Sequence, residues 1–334
     1  MIEFKHITKA TELPHEWDKL TYSYFQRKVF LIHTEKYNLC KQRYYLSYEN
    51  NTLISAAIVY SLRLDILTFL KLKSPIKMNI VGVPCSVSSS GIFGDNAVQK
   101  LKNYIYSQEK GFLLMLNIKK KPINQKIASG KTLPNIVLKN TFKDWNHYLN
   151  SLRSDYRRRL KRIIKNSEQL DFEKLACSEF NLEMHQQYLQ VYHRSKGKLE
   201  KLSLAFFQNL PSEFILTKCS KNNQLIGWNI ALESDNIYYF FLGGIDYQQN
   251  KKYNTYLQLL TLILKDGIDK KVEYIDLGQT AEIPKMRLGG KAETLYMEAH
   301  HSNSFFNMLL KKFSHTLEYK VNLENSNPLK NESR

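Results

Sequence analysis

Residues Tyr238 to Gly290 constrain the fold more than any other part of the chain. Tyr238-Tyr239-Phe240-Phe241-Leu242 is a continuous apolar run of the kind carried by a strand buried on both faces, and Gly243-Gly244 predicts its end or a bulge in it. A polar loop follows. From Asn254 onward Tyr256, Leu257, Leu259, Leu260, Ile263 and Leu264 are apolar around most of a helix, with Asn254 or Thr255 as its cap and Gly267 near its end. Glu273 to Leu277 reads as a second strand, and Gly278 to Gly290 as a cationic turn. A strand, a crossover helix and a strand require two parallel strands, adjacent or nearly so. The fold class is therefore α/β with a mixed sheet, and the functional weight falls on the strand ends.

The chain says this twice. Tyr44 to Tyr48, Glu49-Asn50-Asn51-Thr52 and Leu53 to Tyr60 predict a hairpin with a short polar turn. Phe214 to Cys219, Lys221-Asn222-Asn223-Gln224 and Leu225 to Leu232 predict another, with Asn-Asn-x-Leu-Ile recurring at an offset of 172 residues. After the first hairpin come a strand from Asn79 to Val83, a Ser/Gly-rich loop from Ser86 to Gly94, a helix from about Asp95 to Lys110, Gly111, and a strand from Phe112 to Asn117. The second half repeats that order up to Gly267 and Leu277. Internal duplication is the economical explanation.

Length and charge are consistent with two domains. The chain has 334 residues, of which 43% are hydrophobic, enough for two cores. Lys and Arg outnumber Asp and Glu by 49 to 31, and a net charge of +18 attracts phosphates, nucleic acid or an anionic lipid surface. The same composition also fits basic residues spread over a soluble surface. Cys40, Cys85, Cys177 and Cys219 lack paired metal-ligand spacing, so no metal is expected and the thiols are expected to be buried and reduced. Met1 to Trp17 has no apolar signal core, and no apolar run reaches the ~18 residues of a membrane span. The expectation is a cytoplasmic protein with peripheral membrane contact at most and no transmembrane segment.

Between the two copies lies the basic segment Ser151 to Lys165. Leu152, Tyr156, Leu160, Ile163 and Ile164 fall on one helical stripe. Arg153, Arg157, Arg158, Arg159, Lys161, Arg162 and Lys165 occupy the rest, with only Asp155 against them. Such a row repels itself unless anions relieve it, so it is either a phosphate-facing helix or a solvated one. His193, in a basic loop, is a proton carrier or simply exposed. Ser304 to Tyr319 predicts an amphipathic helix whose Phe305, Phe306, Met308, Leu309, Phe313 and Leu317 are core, and Asn322 to Arg334 a disordered tail. The expected division is 1–145, a basic linker helix at 146–170, a second domain at 171–321, and the tail at 322–334. No phosphate-binding Gly-x-x-x-x-Gly-Lys, Gly-x-Gly-x-x-Gly, His-Glu-x-x-His or Gly-x-Ser-x-Gly is present.

The duplicated hairpins, the basic Tyr156-Arg157-Arg158-Arg159-Leu160-Lys161 helix, and Asp276-Leu277-Gly278 followed by Lys285-Met286-Arg287-Leu288-Gly289 resemble the FemAB-like branch of the GNAT acyltransferase superfamily. The resemblance is best from Ser151 to Gly290 and topological before that. It implies two tandem GNAT-like domains joined by the basic helix, and transfer of an acyl group from an activated carrier to an amine. No permanent cofactor is implied; the co-substrate is an acyl-CoA-type donor or, as in Fem-type enzymes, aminoacyl-tRNA. The acceptor implied is an anionic small molecule or cell-surface precursor, which makes tRNA a possible partner.

The resemblance also implies residues. Gly243 and Gly244, at the strand end, and Lys252, Tyr253, Asn254 and Thr255, in the loop and helix start, hold the acyl carrier. No glycine stands between Gln249 and Thr255, so lysine charge replaces close backbone approach there. Lys285 stabilises the oxyanion together with backbone donors near Gly243. Asp246 is either a general base or a turn residue. Gln279 and Arg287 line the cleft, Arg157 and Arg158 hold a substrate phosphate, and Trp228 is a substrate wall or core. A different class remains open: a non-catalytic binder of nucleic acid or glycan, which needs exposed aromatics interleaved with cations.

Overall fold

The computed structural model describes residues 1–64, 76–85, 87–94, 97–122, 127–195, 200–314, 318–320 and 326–330. At the N terminus β1 (Ile2–Ile7) pairs antiparallel with β2 (Lys41–Glu49), α1 (Lys28–Tyr37) intervening in sequence. β2 and β3 (Thr52–Leu64) form the first expected hairpin. Asn50 and Asn51 both take left-handed backbone, φ 49° and 61°, the two-residue turn whose twist matches that of the strands it joins. β4 (Ile76–Val81) and the short β5 (Ile92–Gly94) both pair with β3. After α2 (Val98–Gln108), β6 (Phe112–Ile118) returns parallel to β4, and β7 (Ala128–Lys131) follows.

β8 (Asn135–Lys139) opens a second sheet and is followed by α3 (Trp145–Ser151), α4 (Ser154–Ser167), β9 (Asp171–Ala176), α5 (Leu182–Arg194) and α6 (Leu204–Gln208). β10 (Phe214–Lys221) and β11 (Gln224–Ser234) make the second hairpin, whose Asn222 and Asn223 repeat the left-handed pair at φ 49° and 65°. Each hairpin carries a register shift just before its turn, at Ser47/Tyr48 and at Cys219/Ser220, so the repetition extends to its irregularities. β12 (Ile237–Ile245), α7 (Tyr247–Tyr253), α8 (Thr255–Asp269) and β13 (Tyr274–Asp276) follow, and β12 and β13 are parallel neighbours. α9 (Glu282–Met286) and β14 (Lys291–Glu293) complete the order β14-β8-β13-β12-β11-β10-β9. The chain then returns to the first sheet through β15 (Tyr296–His301) and α10 (Ser304–Lys312), giving β1-β2-β3-β4-β6-β15-β7.

The structure divides into Met1–Leu133 with Thr294–Lys320, and Pro134–Glu293 with Val321–Arg334. This corrects three expectations. Thr294–Lys320 belongs to the first unit, because β6 and β7 supply the hydrogen-bonding edges on both sides of β15. The basic helix α4 is not a linker: Leu160 is buried with Leu260, Ile263 and Leu264 of α8, and Gln258 Nε2 donates to the Ile163 carbonyl. The tail is ordered where it is described, since Arg153 N donates to Pro328 O and Lys330 N to Ser151 O, each at 2.8 Å. The remainder of that tail lies outside the described residues.

A fourth correction concerns α10. Phe305, Phe306, Met308 and Phe313 are 59%, 45%, 58% and 50% exposed rather than core. The helix rests on its sheet through Phe306, which touches the rings of His301 and Phe112, while Leu309 and Leu310 are half-buried. One side is therefore left to solvent. Leu317, expected on the same stripe, lies outside the described residues.

The second core is built where expected. Ile263, Leu264 and Ile268 of α8 pack with Tyr238 and Ile275 of the parallel pair. Gly267 allows that approach: a Cβ there would stand 2.7 Å from Ile275 Cδ1.

Candidate active site

β12 and β13 run side by side only from Ile237↔Tyr274 to Tyr239↔Asp276. Beyond that β13 turns to β8, with Leu277 N donating to Ile136 O at 2.9 Å, while β12 continues to Ile245 against β11. The two strands thus open a cleft at their C-terminal ends, where backbone groups on one edge of β12 are no longer spent on β13. β12 holds one extra residue against β11: Ile230 is opposite Leu242 and Ala231 opposite Phe240, so the bulge falls at Phe241. The sequence placed the irregularity at Gly243-Gly244, which instead continue the ladder opposite Asn229 and Trp228.

In the first unit the matching place, past Val81 and Met115, is crossed by the protein's own chain. Gly82 bridges to Ser90, Ile58 N donates to Gly91 O at 2.7 Å, and Asn117 Nδ2 donates to Val87 O at 2.9 Å. Only the second unit has an opening of this kind among the described residues.

Lys285 lies at the floor of the cleft and is 1% exposed. Its Nζ donates to the carbonyls of Gly278 at 3.1 Å and Gln279 at 2.7 Å, and stands 5.9 Å from the centre of the Phe240 ring. The turn it ties down is unusual backbone: Gly278, Thr280 and Ala281 all have positive φ (72°, 63° and 48°), and glycine carries the first at no steric cost. Burial pulls the Lys285 ammonium down to about 7, against the opposing pull of Asp276 and Glu282. Burial likewise raises the Asp276 carboxyl above the usual range, against hydrogen bonds from Asn135 Nδ2 at 2.9 Å and Gly278 N at 2.7 Å. Burial thus disfavours the charged form of both groups on the cleft floor.

On β11, opposite the end of β12, sits a residue the sequence did not single out. Asn229 is 1% exposed, and neither atom of its amide has a hydrogen-bond partner. It pairs in register with Gly243, on the face shared by Gly227 and Ala231. That face meets α8: a Cβ on Gly227 would touch Thr255 Cγ2 at 2.8 Å, and Thr255 Oγ1 is likewise buried and without a partner. Orphaned polar groups of this sort cost about 1–3 kcal/mol each and mark a place where something polar belongs. Position alone conceals this, since an asparagine inside a strand pattern is unremarkable until its burial is known.

A groove of about 520 Å³ runs beside the start of α8, lined by Asp155, Arg158, Arg159, Arg162, Ile163, Asn166 and Asn254. Arg158 and Asp155 form an exposed pair at 3.0 Å. Arg157, expected alongside Arg158, points elsewhere and reaches the Asn150 carbonyl at 3.4 Å. The loop before α8 is the helix α7, because Asp246 caps it, accepting from the amides of Gln248 at 2.8 Å and Gln249 at 3.5 Å. Asn254, φ 52°, ends α7 and starts α8, and Asn250 Oδ1 takes the amide of Tyr256 at 3.0 Å.

The remaining expected site residues scatter. Lys252 is exposed and, with Lys221, flanks the buried Tyr253 ring at 5.1 Å. Trp228 is fully buried, edge-on to Phe180 and Phe207 with its Nε1 on the Met184 carbonyl, and offers a substrate no surface. Gln279 contributes its carbonyl to Lys285, and Arg287 is half-buried one turn further on. His193 is exposed in the last turn of α5.

Residues 150–286 match a protein-family model described as acetyltransferase (GNAT) domain. That stretch is similar to a GNAT acetyltransferase domain. The match spans the arginine helix, the open cleft and Lys285, and stops at the end of α9. A search of curated proteins by sequence gave no match. Among solved structures, the chain is similar in fold to a conserved protein of unknown function from Bacteroides thetaiotaomicron (TM-score 0.53, 9% identity, 90% of this chain and 99% of that one). It is also similar to FemX (0.50, 9%, 84% and 92%) and to L-PGS from Bacillus licheniformis (0.50, 10%, 85% and 95%). With both of these structures the likeness is one of fold and extends over most of the chain, not only over the matched residues.

Proposed function

We propose that the GNAT domain transfers an acyl group from a phosphate-bearing carrier, an acyl-CoA-type thioester, to an amine of an anionic cell-surface precursor. The observation that carries this reading is the cleft opened where β12 and β13 part, with an arginine-lined groove at the start of α8 beside the same strand. Guanidinium groups suit phosphate oxygens, and the net charge of +18 suits two anionic substrates. The arginines do what backbone amides do elsewhere, since Asp246 and Asn250 already occupy amides of α7 and α8.

The amine nitrogen attacks the carbonyl carbon directly. A C–N bond forms, the C–S bond breaks, the thiolate leaves with the carrier and takes up a proton, and the amine gives its proton to water. Backbone N–H groups of β12 past the bulge and the Asn229 amide stabilise the developing oxyanion. Lys285 fixes the Gly278–Gln279 wall of the cleft through its bonds to the two carbonyls. Asn229 and Thr255 offer a donor and acceptors to amide groups of the carrier arm.

A second reading, aminoacyl transfer from aminoacyl-tRNA, is favoured by one feature: the α4 cations extend beyond the groove to Arg153, Arg157, Lys161 and Lys165, a row long enough for a polyanion. The test is thiol release from acetyl-CoA in the presence of amine acceptors, run in parallel with deacylation of charged tRNA. Amine-dependent thiol release supports the first reading. Consumption of charged tRNA alone replaces it with the second, and neither activity overturns both.

A further inference from the structure

We propose that α10 is a docking helix for an anionic lipid surface. Four of the chain's large exposed apolar side chains fall within nine residues: Phe305, Phe306, Met308 and Phe313. At 100° per residue Phe305, Met308 and Lys312 share the outward side of the helix, with Phe313 beside them and Lys311 at the flank. Phe305 and Phe306 lie 5.7 Å apart, and Phe306 continues to His301 at 4.9 Å, so the apolar surface is a ridge rather than scattered residues. No residue of the helix is buried.

Two features select the occupant. No Asp or Glu occurs from Ala299 to Leu317, so the segment that forms the ridge carries only cations and neutral groups. Lys311 and Lys312 are both exposed, and among the described residues no carboxylate lies within ion-pair distance of either. An exposed aromatic and methionine ridge with lysines on its border has the composition of a helix lying in a lipid interface, with rings at the acyl boundary and ammonium groups reaching the headgroup phosphates. A core-forming partner would instead leave Lys312 stranded in the middle of the contact. No helix among the described residues is long and apolar enough to cross a membrane, so this contact is superficial.

The experiment is co-sedimentation of the full chain with vesicles of phosphatidylcholine alone and of phosphatidylcholine mixed equally with phosphatidylglycerol. Wild-type protein should pellet with the mixed vesicles and release as salt rises. The Phe305→Ser/Met308→Ser variant should lose binding while keeping its circular dichroism and melting temperature, because both residues are at the surface. Lys311→Gln and Lys312→Gln should each weaken binding about fivefold. The proposal is overturned if mixed vesicles bind no protein, or if the serine variant binds undiminished. It is also overturned if light scattering finds a wild-type dimer that the serine variant dissolves without any vesicle binding, which would assign the ridge to a second copy. None of these readings depends on the acyl-transfer chemistry.

Discussion

Lys285 Nζ and the Gly278 carbonyl, 3.1 Å apart, join the α9 turn to the end of β13 and hold one wall of the cleft against Phe240. The lysine's low exposure gives this contact a pH signature. The sign follows from the depressed value: between about 7 and the ordinary lysine range near 10.5, the unfolded chain binds a proton that the folded protein has released. Stability from this group therefore rises with pH across that window and is penalised in full below it. Melting curves of wild type and Lys285→Met from pH 6 to 10 should diverge, the wild type gaining stability with pH relative to the variant. Parallel curves would mean that Lys285 titrates normally. Acyl transfer by Lys285→Met should fall by about 10²-fold or more, as expected when the cleft wall it ties down is lost.

Asn229 gives a prediction of opposite signs for stability and activity. Replacing a buried amide that makes no hydrogen bond with a similarly shaped apolar group is neutral or stabilising. Asn229→Leu should therefore hold or raise the melting temperature of the ligand-free protein while cutting acyl transfer by about tenfold or more. A clear loss of stability, with activity scaling to the folded fraction, would make the residue structural.

Asp246 separates a cap from a base. Asp246→Asn keeps an oxygen for the amides of Gln248 and Gln249 but removes the ionisable carboxylate. Turnover within about twofold of wild type, together with a loss of about 1 kcal/mol in Asp246→Ala, is the expected pattern for a cap. A fall of about 10²-fold in the asparagine variant would make Asp246 the general base.

Much of this was legible in residue order because the signals were local. Asn50-Asn51 and Asn222-Asn223 announce their turns through the two residues' tolerance of positive φ, and the parallel pair follows from an apolar run, a helix period and a second run. What was not legible depended on distant partners. Nothing in Tyr296–His301 says that its edges are filled by β6 and β7. The stripe through Phe305, Met308 and Phe313 is periodic whether or not a core covers it. Asp246 reads as a strand-end acid because the polar residues after it do not announce the helix it caps, and the choice between Arg157 and Arg159 is decided only by the rotation of α4 on α8.

The most direct test of the account is calorimetric titration of coenzyme A into wild type and into Arg159→Ala/Arg162→Ala, at two salt concentrations, with tRNA titrated alongside. The expected result is saturable binding of coenzyme A by wild type. The double variant should weaken it by at least about tenfold, since each charge-assisted hydrogen bond lost is worth about 1.5–3 kcal/mol. Binding of tRNA alone, falling steeply with salt, would transfer the account to the aminoacyl donor. Equal affinity in wild type and variant, or no binding of either molecule, would contradict the assignment of the α4 groove to an acyl carrier.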